Sequence, residues 1–163
     1  MTRRPAPIIL AMLALGPVLA ACSGSEPAAP VAPQAEVTEL KAAATALGDV
    51  VTDANGRVLY LFTKDTQGAA TSACTGDCLT AWPPALAGDA APKATGVTGS
   101  IGTIDVAGRT QVTLDGWPLY YFAQDVAAGD VKGQGVNDAW YVLAPAGQPI
   151  RTKPSSPEGG MGY

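Results

Sequence analysis

The sequence of 163 residues contains no histidine, three cysteines and three methionines. Without histidine, the chain lacks the side chain that most often ligates zinc or copper and the most frequent general base at neutral pH. Only Met161 lies beyond the first 12 residues, so thioether ligands are also scarce. The aspartates do not follow the spacing of an EF-hand calcium loop. We therefore assign no metal site and no cofactor.

Charged residues are sparse, at 15% of the chain, and the formal net charge is −4. Lysine and arginine form no cluster, so the sequence lacks the basic surface with which proteins bind nucleic acid or anionic lipid. We expect no nucleic-acid partner. Contact with a membrane would have to come from a lipid anchor rather than from charge.

The longest apolar run lies near the N-terminus and is too short to span a membrane. It covers residues 8–19, whereas a spanning helix needs about 20 residues. Two arginines precede the run and small residues end it, which is typical of a signal peptide over residues 1–21. The sequence LAAC resembles a bacterial lipobox, which implies cleavage before Cys22 and diacylglycerol on its sulfur. The alternative is ordinary secretion with Cys22 left unmodified.

The rest of the chain divides by composition into a tether, a domain and a tail. Residues 22–45 are rich in Ala and Pro and are expected to form an extended tether after the lipidated cysteine. Residues 146–163 are rich in Pro and Gly, which predicts a disordered tail. The folded domain is expected at residues 46–145. It would lie outside the cytoplasm, anchored to the cell membrane or, in a two-membrane cell, to the outer membrane.

The predicted domain contains an internal repeat. Residues 55–65 align without gaps to residues 115–125 at an offset of 60, with Gly, Leu, Tyr, Phe and Asp in common. Trp82 corresponds to Trp140 at an offset of 58. Two units of like design are therefore expected. Their approximate bounds are residues 47–86 and residues 101–145.

Turn and strand signals recur in both units. Asn55–Gly56 and Asp115–Gly116 are typical of type I′ hairpin turns, because Asn, Asp and Gly tolerate positive φ. Only Cys78–Trp82 has a short helical pattern, which prolines end. Apolar patterns predict strands at residues 49–53, 57–63, 101–106, 110–114, 118–123 and 140–143. We predict a mainly β fold in which two β-meander units form a sandwich or a partly open barrel.

A Tyr-x-aromatic-x-x-Asp motif occurs in each unit, as YLFTKD at residues 60–65 and YYFAQD at residues 120–125. Together with the lipobox and the segments CTGDCLTAWPP, GWPLYYF and GQG, these motifs resemble a family of predicted bacterial lipoproteins with secreted repeats. The resemblance covers roughly residues 47–145 and implies an extracytoplasmic lipoprotein. It supplies no reaction, because that family is described as of unknown function.

Cys74 and Cys78 are the only thiols beyond Cys22. Outside the cytoplasm, a close pair favours a structural disulfide. Redox dithiols are usually Cys-x-x-Cys, and haem attachment sites are Cys-x-x-Cys-His, whereas this pair is Cys-x-x-x-Cys. A redox or electron-transfer accessory of the cell envelope is the first alternative function.

Asp65 and Asp125 occupy matching positions in the two units, and a twofold axis would allow them to act as an acid and base pair. A hydrolase that uses this pair is the second alternative function. Strand-end aspartates more often bond neighbouring backbone amides in Asx-turns, however. We therefore assign no catalytic residue.

Aromatic side chains offer a different kind of site, because exposed Trp and Tyr stack on sugars, quinone-like rings and peptides. Trp117 follows a turn, which favours partial exposure. The candidate ligand-binding residues are Tyr60, Asp65, Trp117, Tyr120, Tyr121 and Asp125. The favoured function is a lipid-anchored, non-catalytic module that binds a cell-wall, glycan or protein ligand or mediates envelope interactions.

Overall fold

The structure is a computed structural model that describes residues 36–152. The predicted signal peptide, the lipobox Cys22 and the first part of the tether lie outside these residues, as does the end of the tail. Within the described range, no helix combines the length and the apolar character needed to cross a membrane.

The described residues are mainly β, as predicted, and form three small sheets. The strands are β1 (Glu39–Thr45), β2 (Gly48–Asp53), β3 (Tyr60–Phe62), β4 (Lys93–Thr95), β5 (Ile101–Val106), β6 (Arg109–Leu114), β7 (Trp117–Pro118) and β8 (Trp140–Val142). Their orders are β2-β1-β4, β3-β8 and β5-β6-β7, so the described strands close no barrel. The predicted helix is a single turn, α1 (Cys78–Ala81), and a 3₁₀ turn covers Val136–Asp138.

The two repeats have the same design, and each packs against the chain of the other. The antiparallel hairpin β1–β2 in repeat 1 corresponds to the hairpin β5–β6 in repeat 2. Val51 N of the first hairpin donates to Leu143 O at 3.0 Å. In the same way, Val112 N of the second hairpin donates to Ala85 O at 2.8 Å. Each hairpin therefore bonds the segment that follows the tryptophan of the opposite repeat.

The two repeats meet at Tyr60 and Tyr120. The backbone N–H of each tyrosine donates to the carbonyl oxygen of the other at 2.9 Å. This reciprocal pair forms an antiparallel bridge. Since both bonds have the same length and opposite direction, a pseudo-twofold axis passes between the two tyrosines.

Side chains alternate across the central strands and so build two separate cores. Leu59 and Leu61 lie in a mainly aliphatic cluster, whereas Tyr60 and Phe62 lie in an aromatic one. The second repeat divides its side chains in the same way. The aromatic cluster contains Val50, Val58, Tyr60, Phe62, Cys74, Trp82, Tyr120, Phe122, Ala139, Trp140 and Val142. The motif aromatics of both repeats therefore lie in one cluster.

The two predicted type I′ turns differ. Asp115 and Gly116 have φ of 48° and 76°, as that turn requires. In the first repeat the prediction is wrong, because Gly56 has φ of 80° but Asn55 has no positive φ. Here Gly56 N donates to Asp53 O at 3.1 Å. The Asp53 carboxylate also accepts from the N–H groups of Asn55 and Arg57, each at 2.9 Å, and so fixes a wider turn.

The folded region extends beyond its predicted bounds at both ends. The predicted tether ends too late, because β1 occupies residues 39–45 and Leu40 is fully buried. Pairing with β2 outweighs the low strand propensity of the alanines. At the other end, Ile150 N donates to Val142 O at 2.9 Å, so residues 146–152 are not part of a disordered tail.

Two central strands are shorter than predicted. The expected strand over residues 57–63 is reduced to β3, and the one over residues 118–123 contributes only its first residue to β7. Isolated bridges hold the chain beyond these strands, including Thr52–Val58 and Tyr60–Tyr120. The hydrogen-bonded ladder of each central strand is short because the chain crosses to the other repeat after a few residues.

Candidate functional site

The Tyr-x-aromatic-x-x-Asp motifs exchange hydrogen bonds between the repeats. The Tyr60 hydroxyl donates to Asp125 Oδ2 at 2.5 Å, and the Tyr120 hydroxyl donates to Asp65 Oδ2 at 2.8 Å. All four side chains are buried. Each tyrosine therefore bonds the aspartate of the opposite motif, and neither aspartate is paired with the tyrosine of its own motif.

The other carboxylate oxygen of each aspartate closes the loop that follows it. Asp65 Oδ1 accepts from Ala73 N at 2.6 Å, eight residues away. Asp125 Oδ1 accepts from Lys132 N at 3.0 Å, seven residues away. The predicted Asx-turns with neighbouring amides are therefore wrong. A buried carboxylate with two free acceptor oxygens is better satisfied by two distant donors than by one local turn.

Burial shifts the pKa of all four groups in these two pairs upwards. Burial raises the pKa of Asp65 and of Asp125 above the ordinary value of 3.8, although their hydrogen bonds oppose the rise. Burial also raises the pKa of Tyr60 and of Tyr120, and the adjacent carboxylates add to that rise. The two phenols therefore remain protonated donors. Each of the four carboxylate oxygens accepts one hydrogen bond, from a phenol or from a backbone amide.

A column of four aromatic rings lies beside the Tyr–Asp pairs. Successive centroids are 4.4, 3.8 and 4.1 Å apart, and the central Trp82 and Trp140 rings are parallel within 1°. The order of the rings is Phe122, Trp82, Trp140 and Phe62. Tyr60 meets Trp82 edge-on at 5.4 Å, and Tyr120 meets Trp140 at 5.2 Å. The column is buried and symmetric, so both tryptophans belong to the core.

The first motif loop carries the disulfide. Cys74 and Cys78 are bonded, as predicted. Cys74 is fully buried against the aromatic cluster. The Ser72 hydroxyl lies 2.6 Å from the Tyr120 hydroxyl and accepts from Cys74 N at 3.1 Å. The disulfide thus fixes the loop that supplies a second polar partner to Tyr120.

The second motif loop supplies a polar partner to the other motif tyrosine, Tyr60, without a disulfide. Gly133 N donates to the Tyr60 hydroxyl at 3.3 Å. A Cβ at this position would lie 2.7 Å from Trp82 and 2.9 Å from Tyr60, so the approach requires glycine. The GQG segment of the second unit contains this glycine.

Tyr121 forms a further cluster that the sequence did not reveal. Its hydroxyl donates to Asp53 Oδ2 at 3.0 Å, and the Arg57 guanidinium carbon lies 3.9 Å from the centroid of its ring. Burial and the Asp53 charge raise the pKa of Tyr121. Leu61 occupies the corresponding position in repeat 1, so this cluster has no counterpart. The Asp-x-x-Gly-Arg turn after β2 was the available signal.

The six candidate ligand-binding residues do not meet in one open cleft. Tyr60, Tyr120, Tyr121, Asp65 and Asp125 are all buried, with at most 9% of each residue exposed. Trp117 is half-buried, as predicted, and packs against the aliphatic cluster. Ligand binding by these residues stays a prediction. Each of the five buried residues makes a side-chain hydrogen bond that crosses between the two repeats.

Two intertwined copies of one motif-bearing unit define the class of this protein as a tandem repeat module. A family model described as "Secreted repeat of unknown function" matches residues 41–86 and 103–144, together more than half of the chain. The chain belongs to this family of secreted repeats, and the resemblance drawn from the motifs is confirmed. Membership indicates a location outside the cytoplasm. No curated protein and no solved structure matches the chain.

Proposed function

We propose that this protein is a lipid-anchored, non-catalytic binding module of the cell envelope. The observation that carries the proposal is the burial and hydrogen bonding of the motif residues. Asp65 and Asp125, the pair that a hydrolase would use, are buried and bonded to Tyr120 and Tyr60. Groups with this packing stabilise a fold, so the module acts through its surface.

Lipid anchoring is supported by the order of segments in the sequence. An apolar run preceded by two arginines ends in LAAC, and residues 23–35 then separate Cys22 from the described domain. Two or more acyl chains on one residue hold a protein stably at a membrane, whereas one chain does not. The proposed ligand is a cell-wall, glycan or protein component within reach of this tether.

Anchoring is tested on the full chain expressed in a bacterium with lipoprotein processing. Mass spectrometry of the mature N-terminus should show diacylglycerol on Cys22, and the protein should fractionate with membranes. Cys22→Ser is the matched control and should be found in the soluble secreted fraction. An unmodified Cys22 thiol in the mature protein would contradict the anchor.

The non-catalytic part of the proposal is tested by binding and turnover together. Muropeptides, glycans and extended peptides are titrated onto the full chain, with product formation followed in parallel. Saturable binding without product supports the proposal. Turnover that Asp65→Asn and Asp125→Asn abolish without unfolding the protein would establish the hydrolase instead. Reversible thiol titration of Cys74 and Cys78 in the native protein would favour the redox accessory.

A further inference from the structure

The two repeats differ in how the outer side of their hairpins is covered. In repeat 1, the turn between β1 and β2 carries Leu47. The chain after β8 folds back so that Ile150 N donates to Val142 O at 2.9 Å. Leu47 and Ile150 both pack against the aromatic cluster. Two aliphatic side chains therefore cover this part of repeat 1.

The equivalent place beside the hairpin of repeat 2 has neither side chain. Gly108 occupies the position of Leu47 in the turn between β5 and β6. Pro84 corresponds to Val142 at the Trp82–Trp140 offset of 58, and no described segment covers it. A pocket of about 100 Å³ opens there instead. Its main lining residues are Leu79, Pro84, Leu86, Val106, Arg109 and Gln111.

Arg109 and Gln111 give this pocket a polar side. They replace Gly48 and Val50 of repeat 1 at the matched hairpin positions. Gln111 is 1% exposed, and its Nε2 donates to Leu119 O at 2.9 Å. Arg109 is exposed and has no described carboxylate within 4.0 Å. The pocket thus combines apolar walls with an uncompensated cation at its rim.

A backbone acceptor is also available beside the pocket. Beside the hairpin of repeat 1, the carbonyl of Val142 accepts from Ile150 N and so holds the covering segment. The carbonyl of its counterpart, Pro84, accepts no hydrogen bond from a described donor. An extended chain could therefore dock beside Pro84 as the segment around Ile150 docks beside Val142.

We propose that this pocket binds a branched aliphatic side chain on an extended peptide of a partner protein, with a carboxylate on the following residue near Arg109. Ile150 gives the mode of binding in the covered repeat. The volume of about 100 Å³ suits such a side chain, being below the roughly 150 Å³ of a cavity that binds benzene. The inference rests on the proposed function and names its ligand as peptide.

The test is a titration of the full chain, purified in detergent and labelled with ¹³C at leucine and valine methyls. The probe is acetyl-Pro-Ile-Glu-amide, which copies Pro149–Arg151 with the charge of Arg151 reversed to match Arg109. Leu79, Leu86 and Val106 line the pocket and serve as reporters. Their methyl shifts should saturate. Acetyl-Pro-Ala-Glu-amide should bind about tenfold more weakly, because it buries less apolar surface.

Two variants test the assigned contacts. Leu79→Trp should abolish the saturable shifts of Leu86 and Val106 by filling the pocket, whereas Leu47→Ala, on the covered side, should leave them unchanged. Arg109→Glu should reverse the preference between acetyl-Pro-Ile-Glu-amide and acetyl-Pro-Ile-Lys-amide by about two- to fivefold, as expected for an exposed charge pair. If Leu79→Trp does not fold, the change in probe preference of Arg109→Glu still tests the site.

Each other outcome overturns the peptide site. Equal binding of the Ile and Ala probes, or shifts confined to residues away from the pocket, would remove it while leaving the binding module standing. The absence of any shift up to the solubility limit would do the same. Methyl shifts that depend on protein concentration alone would assign the pocket to a second copy of the chain. Failure of the proposed function is separate, since it requires turnover or an unmodified Cys22.

Discussion

Repeats 1 and 2 share the Tyr–Asp exchange and the paired tryptophans, and they differ in how their loops are held. In repeat 1, a disulfide between Cys74 and Cys78 fixes the loop after the motif. In repeat 2, Asp130 fixes it by accepting from the N–H groups of Val126 and Ala127, each at 3.0 Å. Asp130 also pairs with Lys132 at 2.9 Å. The hydrogen bond from Lys132 lowers the pKa of Asp130 to about 2.

This comparison separates what the fold requires from what each repeat adds. The Tyr–Asp exchange and the paired tryptophans occur in both repeats, and each contact of this kind crosses the pseudo-twofold axis. Loop closure and hairpin cover occur in two different forms. We infer that the shared motif holds the repeats together, whereas the unshared parts provide surfaces on which the two halves can take different roles.

The largest effect is expected when the two repeats are separated. Residues 36–98 and residues 99–152, produced as separate chains, should each be unfolded by circular dichroism, because each loses the partners of its tyrosine, aspartate and tryptophan. The intact stretch 36–152 is the control and should fold. Independent folding of either half would show that the crossing contacts are not essential.

Truncation of one tryptophan should cost about 3–5 kcal/mol, since either change removes a large buried ring. Trp82→Ala and Trp140→Ala should have similar effects on the free energy of unfolding, because the two rings occupy equivalent positions. The double variant should lose less than the sum, since both single variants already remove the stack. Fully additive losses in urea denaturation would contradict a shared contact.

The Tyr–Asp exchange can be tested by coupling energies. Tyr60→Phe should cost about 1.5–3 kcal/mol, because it removes a hydrogen bond to a charged group. A double-mutant cycle of Tyr60→Phe with Asp125→Asn should give a coupling energy of at least ~0.5 kcal/mol. The cycle of Tyr60→Phe with Asp65→Asn should give a coupling energy near zero. The matched cycle pairs Tyr120 with Asp65. Stronger coupling within one motif would show that the bonds do not cross.

The sequence predicts the repeats well and their relation poorly. Equal spacing of Tyr60, Phe62 and Asp65 with their counterparts shows two like units and places the aromatics on one side of a strand. It contains no sign of which aspartate meets which tyrosine, because exchange depends on how the two strands cross. The same limit applies to Ala-rich β1, whose strand form comes from pairing with β2 rather than from propensity.

The disulfide should contribute less than the shared contacts. Its short ring gives about 2 kcal/mol by the loop-entropy relation. Reduction should lower the free energy of unfolding by about that amount and perturb Ser72 and Tyr120 by NMR, with repeat 2 little affected. A Cys74→Ala/Cys78→Ala variant is the control and should not respond to reductant. Unfolding of the whole domain on reduction would show that the disulfide-bonded loop is as important to stability as the motif.

The smallest expected effect is a dependence of stability on pH that the two buried aspartates impose. Their pKa is raised in the folded state, so the folded protein binds more protons than the unfolded chain just above pH 3.8. Their contribution is therefore fully present at low pH and declines as pH rises through the folded pKa, by less than about 1.4 kcal/mol per pH unit for each group.

Urea denaturation between pH 4 and 7 measures this decline, and Asp65→Asn/Asp125→Asn should flatten it. Asp130 has the opposite sign, but its lowered pKa of about 2 confines its effect to more acidic conditions. If stability instead rises between pH 4 and 7 in the parent and not in the variant, the hydrogen bonds from tyrosine and amide outweigh burial. The two motifs would then stabilise the fold as ionised pairs, and the single aspartate variants would show whether both repeats share that balance.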